Sequence, residues 1–206
     1  NVKKSDNDDI HSNIISFTDK IKRRYSNFFG NKLTRQFSFP IDEFNSLTSE
    51  CQELVSKAKT DPEVGFIVGR NLIEGKCNFP RNIEYGINFL EKSIQNNCSD
   101  SLIYYCKMLM NGEIIPQDIP KAKDLLKQNL KFQNGGVLLL YGKLCLLENN
   151  YSEAKKSFEK SAKIGNIESM YEYGKLLFSE SKKNDNEALK YIKLSSKNGF
   201  EKSKIF

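Results

Sequence analysis

A chain of 206 residues, 38% hydrophobic and 28% charged, is long enough to bury a core without disulfides or bound metal. Its most apolar stretch, Gly136 to Leu147, is interrupted by Lys143 and falls well short of the roughly 20 residues that cross a bilayer, so a buried helix is expected there. The net charge of +6 is concentrated at Lys20, Lys22, Arg23, Arg24, Lys32 and Arg35, and the remainder is near neutral, unlike the evenly basic surface of a nucleic-acid binder.

In chain order, residues 1–11 are polar and charged and read as disordered. Ile14, Phe17, Ile21, Tyr25 and Phe28 then recur at helical spacing among Lys20, Arg23 and Arg24, a basic amphipathic pattern over Ile14–Phe29. Such a helix binds a membrane surface or a partner's groove, or else is an extra helix packed on the repeats or a linker to a further domain; the latter pair is favoured, because the ends of repeat arrays need covering. The first 40 residues thus form one segment, followed at 41–60 by a capping helix with the stripe Phe44, Leu47, Cys51, Leu54 and Ala58.

From residue 61 the chain repeats. Val68-Gly69-Arg70, Tyr105-Cys106-Lys107, Tyr141-Gly142-Lys143 and Tyr173-Gly174-Lys175 each lie in an apolar helix, and each is followed by a second helix carrying a small residue: Gly86, Ala122, Ala154 and Ala188. The distance from that small residue to the next repeat's Gly or Cys is 20 residues each time (86 to 106, 122 to 142, 154 to 174), whereas within a repeat it is 17, 16, 12 or 14. The constant interval is a packed helix, a tight turn and the next helix, where an insertion would shift the core's register. The variable one is a surface loop, where insertion is cheap. Glycine inside a helix costs roughly 1 kcal/mol relative to alanine, and close approach of the two helices explains its recurrence. Asn134-Gly135-Gly136, Gly165-Asn166 and Asn198-Gly199 are read as turns ending the second helices. The repeats run over 61–97, 98–133, 134–165 and 166–199, with a fifth beginning at 200–206.

The segment Gly165-Asn166-Ile167-Glu168-Ser169-Met170-Tyr171-Glu172-Tyr173-Gly174 resembles the Sel1 repeat, with Ser169 at its alanine position, and the segment from Met110 to Ala122 matches its loop, departing from it at Ile114 near the second glycine. The resemblance spans about residues 60 to 206, although the third repeat lacks the loop and has the shorter spacing of a tetratricopeptide repeat. It implies an all-α fold, an α/α superhelical solenoid of about four hairpins preceded by N-terminal helices. It also implies a role as an adaptor or scaffold that binds another protein. Some secreted members of that family staple each repeat with a cysteine pair, but Cys98 and Cys106 do not recur in the neighbouring repeats.

The chemistry-bearing residues point the same way. His11 is the single histidine, which excludes histidine triads and sites needing two imidazoles. The Gly-Lys pairs at 75–76, 142–143 and 174–175 lack the following Ser or Thr of a phosphate loop. Five cysteines (Cys51, Cys77, Cys98, Cys106, Cys145) without a CxxC spacing suit a reducing, cytoplasmic compartment. No catalytic residue, cofactor or metal site is expected, and no nucleic acid as partner. A positive ladder stands out instead: the residue after each helical Gly or Cys is Arg70, Lys107, Lys143 or Lys175, and one turn earlier stand Phe66, Ile103, Leu139 and Tyr171. In superhelices of this type these positions point into the groove, where they would receive a partner protein, in particular an acidic peptide. The chain begins at Asn1 and stops within a repeat, so it also reads as a fragment, and a second role stays open: the regulatory repeat region of a larger signalling enzyme such as a protein kinase.

Overall fold

The computed structural model describes residues 41–180 and 185–205. The expectations for residues 1–40, including the basic helix at Ile14–Phe29, therefore lie outside the described residues. Among the described residues the fold is all α, with ten α-helices, two short 3₁₀ segments and no strand.

Two short helices come first, α1 (Ile41–Asn45) and α2 (Ser49–Lys57). The sequence pattern suggests one helix here, but Thr48 breaks it: its hydroxyl accepts the Cys51 N–H at 3.4 Å and restarts the chain as a new helix. Gln52 bridges the break by donating to the carbonyls of Phe44 and Leu47. Of the expected stripe, Leu47, Cys51 and Ala58 are buried while Phe44 and Leu54 are only half-buried, and Val55, outside that stripe, is buried in place of Leu54.

Four helical hairpins follow: α3 (Pro62–Glu74) with α4 (Ile83–Gln95), α5 (Ser99–Asn111) with α6 (Ile119–Asn129), α7 (Gly135–Leu147) with α8 (Tyr151–Lys163), and α9 (Ile167–Glu180) with α10 (Asp185–Lys197). Short polar side chains start most of them. Asp61, Asn82, Asp118, Asn134, Asn150 and Asn166 each accept a first-turn backbone N–H at 2.9 to 3.2 Å. Gly135-Gly136, read from the sequence as a turn, is instead the first turn of α7. The turn comes earlier, in a 3₁₀ segment, Leu130–Phe132, ending at Gln133 with φ 49°. The chain after α10 forms a second 3₁₀ segment, Glu201–Ile205, where the pattern suggests the start of a fifth hairpin.

The helical glycines lie where the two helices of a hairpin touch. A Cβ on Gly69 would stand 2.9 Å from the carbonyl oxygen of Gly86, and one on Gly174 would stand 3.0 Å from that of Ala188. In the third hairpin the space above Gly142 is filled by the Phe158 ring, 2.6 Å from a Cβ placed there. One continuous core runs through the hairpins, with Leu90, Cys106, Leu126, Leu144 and Phe158 fully buried, each large side chain contributing about 1.5–3 kcal/mol.

First helices of successive repeats, α3, α5, α7 and α9, lie against one another more closely than the second helices do. They therefore form the inner layer of the array, and the second helices the outer one. This layering decides which side chains share a surface.

Candidate interaction surface

Arg70, Lys107, Lys143 and Lys175 occupy one position on the four first helices, so the fold places them on the inner layer. Their surroundings differ. The Arg70 guanidinium lies over the Phe66 ring, 5.3 Å from its centre. Its charge also helps hold the Glu74 carboxyl below the usual carboxylate range, after the larger effect of the Lys76 ammonium 2.8 Å away. Glu74 in turn accepts the Tyr104 hydroxyl at 3.0 Å, and Phe66 meets Tyr104 edge to face at 6.1 Å, so α3 and α5 are joined through this cluster. Burial, with that carboxylate second, pushes the Tyr104 hydroxyl up to about 12.

Lys143 is half-buried and reaches Glu168 in the first turn of α9, at 2.5 Å. Lys175 meets Glu172 of its own helix at 3.3 Å and lies over the Tyr171 ring at 5.2 Å. Lys107 is exposed, and among the described residues no ion pair or ring contact involves it. The four cations share a register without sharing an environment.

The apolar residues one turn earlier are turned largely inward. Leu139 is only 7% exposed and belongs to the core. Ile103 packs on the next repeat, its Cδ1 2.5 Å from where a Cβ of Gly136 would be. Phe66 and Tyr171 are half-buried and engaged with Tyr104 and Phe200. Their main contact is with neighbouring repeats, which they cement together.

Two features of the joints escape the stripe pattern. The first is a buried serine seam. Ser93 donates to the Pro62 carbonyl and accepts from Ser101 at 2.8 Å. Ser161 donates to the Gly135 carbonyl and accepts from Ser169, both at 2.7 Å. Each serine thus ties the two helices of its own hairpin and holds the next repeat as well. The signal is a spacing of eight between serines, and it fails at the second joint, where Asn129 and Val137 stand instead. The second feature is a set of lysine–glutamate pairs 25 residues apart, Lys123–Glu148, Lys143–Glu168 and Lys155–Glu180. All three link one repeat to the next.

Two buried thiols, Cys106 and Cys145, are held away from the nucleophilic thiolate form. Burial pushes Cys106 up to about 12, against a smaller opposing effect from Lys121, and raises Cys145 as well. Among the described residues, no group of three or more His, Cys, Asp and Glu side chains is placed to hold a metal ion, and no helix is long and apolar enough to cross a membrane.

The family model described as the Sel1 repeat matches residues 66–98, 99–128, 135–166 and 167–200. The chain belongs to the Sel1 repeat family. Sel1 repeats are in general protein–protein interaction modules. The described hairpins are similar in fold to a Sel1 repeat protein from Oxalobacter formigenes, at 17% identity and a TM-score of 0.65, over 74% of this chain and 65% of that one. They are also similar to c5321, a protective antigen present in uropathogenic Escherichia coli strains and displaying an SLR fold, at 16% identity and a TM-score of 0.66. That alignment covers 76% of this chain and 35% of the other, so in both cases the chain matches less than two thirds of its structural neighbour. No curated protein matches the chain.

Proposed function

We propose that this Sel1 chain is a non-catalytic adaptor or scaffold that holds an extended segment of a partner protein along the inner layer of its first helices. One observation carries this reading: the inner layer presents cations in register, Arg70, Lys107 and Lys175, beside half-buried aromatic rings at Phe66, Tyr104 and Tyr171. Aromatic surface supplies contact area at low entropic cost, and the charges select and orient a partner. Leu139 and Ile103 act from beneath, by keeping neighbouring first helices in register.

A selection from phage-displayed random dodecamer peptides against the full chain tests this reading, with bound peptides mapped by hydroxyl-radical footprinting. Protection is expected at Phe66, Tyr104 and Tyr171 on first helices, with Leu189 and Leu194 on the outer helix α10 unchanged. Protection confined to α10 would move the site to the outer layer, and a selection that yields no specific peptide would remove the reading.

A further inference from the structure

Lys143 defines what its register position accepts. Its ammonium reaches across to the first turn of the next repeat and meets the Glu168 carboxylate at 2.5 Å. One repeat earlier, Lys107 stands at the same place on α5, six residues before Gly142 stands Gly136, and six before Gly174 stands Glu168. The position that should carry the carboxylate for Lys107 is therefore a glycine. In place of a side chain there, the Ile103 side chain of α5 fills the space beside Gly136, its Cδ1 2.5 Å from where a Cβ would stand. Lys175 meets the Glu172 carboxylate and the Tyr171 ring, and Arg70 lies over the Phe66 ring, whereas among the described residues Lys107 has neither an ion pair nor a ring contact. Ile103, Tyr104 and Met110, each half-buried, surround it within one turn on α5.

We infer that Lys107 is the charge-reading point of the inner layer, and that it takes an Asp or Glu side chain of an extended partner segment in the place that Glu168 fills for Lys143. This rests on the interaction-module reading above and narrows its charges from three cations, Arg70, Lys107 and Lys175, to one. The carboxylate is the ligand class because the repeat itself shows a carboxylate on the equivalent cation. Apolar neighbours on α5 favour apolar residues beside that Asp or Glu, and they strengthen the charge pair by keeping bulk water from its flanks. An exposed lysine whose partner comes from outside the chain gains from binding what Lys143 has already gained from folding.

The test uses the peptides selected above against the full chain, with affinity measured by fluorescence polarisation for the unaltered protein, Lys107→Glu and Lys143→Glu. Lys107 is exposed, so its reversal leaves the helical circular dichroism unchanged, which is recorded for each variant. The selected peptides are expected to be enriched in Asp or Glu beside apolar residues. Lys107→Glu should weaken them by about tenfold or more and Lys143→Glu by only about threefold or less, because breaking an interfacial charge pair costs far more than altering a charge already satisfied elsewhere. Replacing the peptide's acidic residue with lysine should restore binding to Lys107→Glu alone. Peptides without acidic enrichment, equal losses in the two variants, or absence of the charge-swap rescue would each overturn this inference while leaving the interaction module intact. Failure to select any peptide would overturn both.

Discussion

Gly174 lies in the middle of α9, where alanine would ordinarily favour the helix by about 1 kcal/mol. Its Cβ would stand 2.7 Å from Ile192 Cγ1 and 3.0 Å from the Ala188 carbonyl oxygen, a backbone atom that cannot yield without moving α10. Gly174→Ala is therefore expected to destabilise the fold by about 1–3 kcal/mol despite its better propensity, as read from urea denaturation. An unchanged or raised midpoint would mean that the two helices part easily. Ser161 carries a different obligation. Losing its hydroxyl removes a second donor from the Gly135 carbonyl, which the helix already engages, and takes away the acceptor of the buried Ser169 hydroxyl, a cost of about 1–3 kcal/mol. Ser161→Ala and Ser169→Ala should each destabilise, and the double variant should lose clearly less than the sum, by about 0.5 kcal/mol or more. Strict additivity in a double-mutant cycle would show that the two hydroxyls act separately.

Among the helices, the second hairpin is built differently from the other three. Where α3, α7 and α9 present glycine, α5 presents Cys106, whose sulfur lies 3.7 Å from the Ala122 carbonyl. The added atoms occupy the space through which the other hairpins close, and α5 and α6 pack less tightly than the remaining pairs. α6 is also the shortest second helix, unwinding into a 3₁₀ segment at Leu130, and its joint to α7 lacks the serine seam. Local stability follows local packing. Hydrogen exchange should accordingly find the amides of α6 opening before those of α4, α8 and α10. Protection in α6 equal to that in α8 would contradict this order. The joint with the loosest packing borders Lys107, the one cation of the ladder that has neither an ion pair nor a ring contact among the described residues.

Over the whole molecule, periodicity carried most of the fold. The 20-residue interval, the stripes of the second helices and the recurring helical glycine were enough to read four hairpins, because each reflects a contact repeated at every joint. The break between α1 and α2 was harder to read. Thr48 sits inside an unbroken apolar stripe, and the hydroxyl that ends one helix and starts the next leaves no mark on the stripe. The glycines at 135 and 136 misled for a related reason: a pair that ordinarily signals a turn was a helix start, its first N–H groups already held by Asn134. The ladder was legible as a column of like charges. Its inequality was not, since Lys143 finds Glu168 across 25 residues and Lys107 finds Gly136 at the equivalent place.

By itself, the order of residues determined the helical class, the number of hairpins and the place of each small residue, because these depend on interactions repeated along the chain with fixed spacing. Tertiary structure alone decided which serines meet and which cations are already satisfied. Those outcomes depend on distances between residues of different repeats, and a carboxylate or a glycine at one joint changes the meaning of a lysine at the next.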